Sequence, residues 1–88
     1  MDETTAKIEV TDHVINLRPG PHGLMPTWGL SAEGTRIGTV WETKDGYAGH
    51  IEGTTATGQH RQYTCPEQPF RQSVIDRMAV MARRIGIA

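Results

Sequence analysis

The sequence predicts an α+β domain: a small antiparallel sheet of three to five strands packed on one C-terminal α-helix. Three observations carry that expectation. Short alternating apolar runs separated by turn signals occupy residues 8–65, apolar side chains recur at helical spacing from Pro69 onward, and 88 residues leave room for one core. The whole chain, 1–88, is therefore expected to be a single domain.

Residues 1–7 are polar without an apolar period and are expected to fray. Ile8–Leu17 reads as a strand whose alternation changes phase, since Ile8 and Val10 share one face while Ile15 and Leu17 fall on the other. Such a slip predicts a bulge or bend between Val10 and Ile15, on an edge strand. Residues 18–30 carry Pro19, Gly20, Pro21, Gly23, Pro26 and Gly29, a density of breakers that predicts a loop with at most a short strand around Thr27–Ser31. That stretch also holds Leu24, Met25 and Trp28, which must either complete the core or meet a partner.

Ala32-Glu33-Gly34 is expected to turn the chain back into a strand over 36–43, followed by a hairpin at Lys44-Asp45-Gly46. Two registers are open. A two-residue turn pairs Val40 with Ile51 and Trp41 with His50. A three-residue loop pairs Thr43 with Tyr47, Trp41 with Gly49 and Thr39 with Ile51. The second is preferred because it gathers Ile37, Trp41, Tyr47 and Ile51 on one face and leaves Glu42, His50 and Glu52, with Val40, on the other. Residues 53–58 read as a turn and His60–Cys65 as a further strand stopped by Pro66. The helix is expected over 69–85, its stripe formed by Phe70, Val74, Met78, Met81 or Ala82, and Ile85, with Gly86 as its C-terminal cap.

Composition narrows the class further. With 36% hydrophobic and 22% charged residues the chain has a globular balance, and no run approaches the ~18 apolar residues of a membrane span. The acidic start Met1-Asp2-Glu3 is unlike a signal or transit peptide, so a cytoplasmic location without a membrane partner is expected. The net charge of −1 divides into −3 over residues 1–35 and +2 over residues 36–88. That dipole can steer a partner, yet it is weak for a nucleic-acid-binding domain.

Chemistry-bearing residues are few. His50, His60 and the single cysteine, Cys65, have no metal-ligand spacing, and no cofactor is expected. Cys65 precedes Pro66 at a strand end, without a helix N-terminus to activate it. Glu42 and Glu52 form the best carboxylate pair, more simply read as solubilising strand residues. P-loop, HExxH, GxSxG and Rossmann patterns are all absent, so no enzyme is expected. On the helix, Arg77 and Arg84 stand seven residues apart, nearly eclipsed, with Val80 between them, and could contact phosphates or an acidic surface.

A three-stranded meander followed by a helix resembles the integrase arm-type DNA-binding domains, whose sheet enters the major groove. That resemblance implies an outward sheet face of Val40, Glu42, His50, Glu52 and Gln62. Lys44-Asp45-Gly46-Tyr47 is similar to a turn of HicB-type antitoxin domains, a likeness that implies toxin binding. Each covers residues 36–86 and rests on element order. The function expected is a small non-enzymatic protein-binding module, an inhibitor or accessory protein of the phage or mobile-element kind, with Leu24, Met25, Trp28, Arg77 and Arg84 facing the partner. A second copy of the chain is a candidate partner, and nucleic acid is the alternative.

Overall fold

The computed structural model of the chain describes residues 5–10, 16–20 and 23–88. The elements run β1 (Ile8–Val10), β2 (Asn16–Gly20), β3 (Gly23–Ala32), β4 (Thr35–Glu42), β5 (Tyr47–Thr54), β6 (His60–Gln68) and α1 (Arg71–Arg84). All strand pairs are antiparallel, in the order β1-β3-β4-β5-β6, with β2 also paired to β3. Because Thr27 pairs with both Asn16 and Trp41, and Leu30 with both Val10 and Gly38, β1 and β2 share the edge of β3 opposite β4. The sheet is thus five strands wide, its first position split between two short segments. The expected break in an edge strand between Val10 and Ile15 falls on residues 11–15, outside the described residues.

The expected loop over residues 18–30 is corrected. Arg18–Gly20 belongs to β2 and Gly23–Ala32 to β3, the two forming a hairpin with Gly20 opposite Gly23. Its breakers are tolerated because of where they fall. Pro19 lies on the edge strand, and Pro26 lies beyond the last β3–β4 pair, Thr27 with Trp41, so each proline has a neighbouring strand on one side only. Residues 23–26 and β2 consequently extend past β4 as a two-stranded arm. Fraying of residues 1–7 is corrected at Ala6, which is buried and donates its amide to the Ala79 carbonyl at 2.9 Å; residues 1–4 lie outside the described residues.

Turn chemistry sets the registers. Glu33 and Gly34 both have positive φ, 51° and 80°, the signature of a two-residue type I′ turn closing β3 on β4. Between β4 and β5 neither expected register occurs: Glu42 pairs with Tyr47, Val40 with Gly49 and Gly38 with Ile51, around a four-residue loop, Thr43–Gly46. The reason lies in β6. A Cβ on Gly46 would fall on the Gln68 carbonyl oxygen, so this glycine serves close approach to the neighbouring strand rather than a left-handed turn. The shift puts Val40 into the core instead of on the outer face, and separates Trp41 from Tyr47. Ile37 still reaches the core, since two residues of β4 oppose one step of β3 between Gly38 and Arg36.

The helix is shorter than expected at both ends. Phe70 is its N-cap, in extended conformation (φ −128°, ψ 143°), so it stands off the helical stripe and is 68% exposed. Burial instead follows Val74, Ile75, Met78, Ala79 and Ala82, with Met81 and Ile85 half-buried. This stripe lies on β4, β5 and β6. Closest contact is at Gly49, where a Cβ would come within 2.5 Å of Met78 Cε and 2.8 Å of Val74 Cγ1. Leu30, Val40, Ile51, Cys65, Val74 and Met78 form the fully enclosed centre.

Gly86 caps the helix as expected. Its φ of 79° permits the paired bonds Ile87 N–H to Ala82 O (3.0 Å) and Gly86 N–H to Arg83 O (3.2 Å) of a Schellman motif. Gly86→Ala should cost about 1 kcal/mol, read as a drop of roughly 4–8 °C in melting temperature. An unchanged melt would mean that the cap contributes nothing.

Candidate binding surfaces

Alternation along β3 places Leu24, Pro26 and Trp28 on the helix side of the sheet. Trp28 and Tyr47 approach with ring centroids 6.3 Å apart, and the Arg71 guanidinium lies 4.8 Å from the Trp28 ring. Phe70 immediately precedes Arg71. Leu24, 65% exposed, and Phe70 are the only strongly exposed large hydrophobics among the described residues. Leu24 lies on the same face of β3 as Trp28, four residues along the strand, and Phe70 precedes the Arg71 whose guanidinium covers the Trp28 ring. The three apolar residues expected to meet a partner are therefore divided: Leu24 is exposed, Trp28 half-buried and Met25 only 4% exposed. Period two explains the split, because Met25 stands on the opposite face from its neighbours.

Arg77 and Arg84 are both exposed, and Arg84 joins two shallow grooves. One, of about 360 Å³, is lined by Asp76, Arg77, Val80, Met81 and Arg84. The other, of about 340 Å³, lies between the helix end and the β5–β6 turn, lined by Thr55, Thr57, Gln59, Arg61, Arg84, Ile85 and Gly86. Arg77 Nε donates to the Tyr63 hydroxyl at 2.7 Å, a bond that raises the guanidinium's already high pKa and keeps it charged. Arg61 Nη2 donates to Gln59 Oε1, also at 2.7 Å.

On the outer face of the sheet, His50 Nδ1 shares a hydrogen bond with Thr64 Oγ1 at 2.8 Å, while Glu52 Oε2 lies 3.8 Å from His50 Nε2 and 3.4 Å from His60 Nε2. Cys65 points to the other side, into the core against the helix. A site joining His50 and His60 to Cys65 is thereby split across the sheet, and among the described residues no group of three or more His, Cys, Asp or Glu side chains could hold a metal ion. Burial pushes the Cys65 thiol up, against smaller opposing effects of Arg77 and of a hydrogen bond with Tyr63. A buried, protonated thiol is a poor nucleophile. Of the outward positions that the DNA-binding resemblance implied, His50, Glu52 and Gln62 face outward, whereas Val40 is core and Glu42 shares the helix side with Tyr47.

Sequence reasoning missed Phe70, Arg71, Tyr63 and Arg61. Pro69 misled for Phe70, because a proline is favoured at the first helical position, whereas Phe70 is the extended N-cap and leaves the stripe. For Arg61 no local signal existed, since its relation to Arg84 depends on how the helix end crosses the β5–β6 turn. No described helix is long and apolar enough to cross a membrane. The chain matches no protein-family profile, no curated protein and no solved structure.

Proposed function

We propose that the chain is a non-enzymatic binding module, of the inhibitor or accessory kind, that holds a protein partner on the apolar end formed by Leu24, Trp28, Tyr47 and Phe70. The observation that carries this reading is the exposure of Leu24, on the Trp28 face of β3, and of Phe70, next in the chain to the Arg71 that covers Trp28. Large apolar side chains clustered at one end and rimmed by an arginine match the composition of interface centres, where aromatics and Arg are enriched. The alternating arm supports the same reading, because it presents Leu24 while anchoring itself through Met25.

The test uses Leu24→Ser/Phe70→Ser. Both residues are exposed, so each change should alter stability by no more than about 0.5 kcal/mol. Wild-type protein should either self-associate in sedimentation equilibrium or retain a specific protein from a lysate of its source cells, and the double variant should lose that association by at least about tenfold while melting normally. A strictly monomeric wild type that retains nothing, or retention untouched by the double variant, would overturn the proposal.

A further inference from the structure

We infer that the two grooves joined at Arg84 form one cationic track that binds the phosphodiester backbone of a nucleic acid. Arg61 enters it from β6, and Arg77 and Arg84 from α1. Among the described residues no carboxylate oxygen lies within 4.0 Å of any of the three guanidiniums. Two of them are nevertheless held in place by neutral acceptors, Arg61 by the Gln59 amide and Arg77 by the Tyr63 hydroxyl. Neutral acceptors orient a guanidinium without cancelling its charge. The one acidic lining residue, Asp76, already accepts from Gln72 Nε2 at 2.8 Å.

The negative pole of the helix is muted where the track crosses it, since the carbonyls of Met81, Ala82 and Arg83 all accept backbone amides of residues 85–87. Thr55 and Thr57 add hydroxyls on the facing wall, bonded to one another at 3.0 Å.

Multivalency selects the occupant. A single exposed ion pair contributes at most about 1 kcal/mol, so one phosphoryl group or one carboxylate would bind such an open track feebly. Arg77 and Arg84 are about 10.5 Å apart along the helix axis, a span of roughly three phosphate-to-phosphate steps of one duplex strand at about 3.4 Å of axial rise each. A phosphate polymer can engage all three arginines together and release condensed counterions at each contact. The site lies within residues 36–88, where the net charge is +2, and is distinct from the apolar end.

The experiment is a fluorescence-anisotropy titration with a labelled duplex and the corresponding single strand, as a function of salt. With three phosphate contacts, affinity should fall about 40-fold for duplex, or about 20-fold for single strand, between 50 and 200 mM salt. Each of Arg61→Gln, Arg77→Gln and Arg84→Gln should flatten the logarithmic slope by about 0.9 on duplex, whereas Arg36→Gln, outside both grooves, should leave it unchanged. Thermal melts of the same variants show that each remains folded. Flat titrations at 50 mM salt would overturn the inference. So would a slope indifferent to the groove substitutions, or competition by poly-glutamate as effective as by unlabelled nucleic acid.

Discussion

Gly38→Ala is expected to lower the melting temperature by about 15 °C or more, corresponding to about 3 kcal/mol on a domain of this size. A Cβ at Gly38 would fall on the carbonyl oxygen of His50, with the Ile51 Cα only 2.8 Å away. These are backbone atoms of the paired strand, so no rotamer change can relieve the collision, and β4 and β5 must move apart at the centre of the sheet. Gly58→Ala provides the comparison. Its φ of 87° makes alanine strained, but nothing lies within 4 Å, and the cost should stay near 1 kcal/mol. Thermal melts of both variants check the pair, and a Gly38→Ala loss no larger than that of Gly58→Ala would refute the close approach.

Met78→Ala should cost about 3 kcal/mol, since the side chain is wholly enclosed between helix and sheet. Gly49→Ala drives a methyl group into that side chain, 2.5 Å from Cε and 2.8 Å from Sδ, and should cost about 1–3 kcal/mol. The two changes are coupled, because the space vacated by Met78 admits the methyl added at Gly49. In urea titrations the double variant should be more stable than the sum of the single losses implies, by at least about 0.5 kcal/mol. Strict additivity would mean that the helix does not rest on Gly49. Val74 Cγ1, 2.8 Å from the same point, limits the rescue to a partial one.

Legibility in the sequence followed the range of the interactions involved. The helix, its glycine cap, the turn at Ala32-Glu33-Gly34 and the edge character of the first strand all rest on residues within a few positions of one another. The β4–β5 register depended on something further away, the Gln68 carbonyl against Gly46, and so it could not be read from the hairpin alone. The arm was hidden for a related reason. Pro19 and Pro26 exclude a strand flanked on both sides, but only the pairing of Thr27 with Trp41 shows that each has a single neighbour. At the candidate surfaces Leu24 was legible, like Met25 and Trp28, only as an apolar residue that must complete the core or meet a partner. Met25, one position along the same strand, required the strand to be recognised first.

The strand order has a kinetic meaning. From β2 to β6 each strand lies beside the one that precedes it in the chain, joined by short turns such as Glu33-Gly34 and Thr43–Gly46. Each of these steps therefore closes a small loop, whose entropic cost is low and is offset by cross-strand contacts, whereas β1 reaches β3 only across the intervening β2 hairpin, with Val10 opposite Leu30. The distant closures, β1 on β3, the helix over Gly49 and Ala6 on the Ala79 carbonyl, carry the larger loop entropies. A chain arranged this way can zip outward from its turns, exposing a bare sheet face only until the helix arrives.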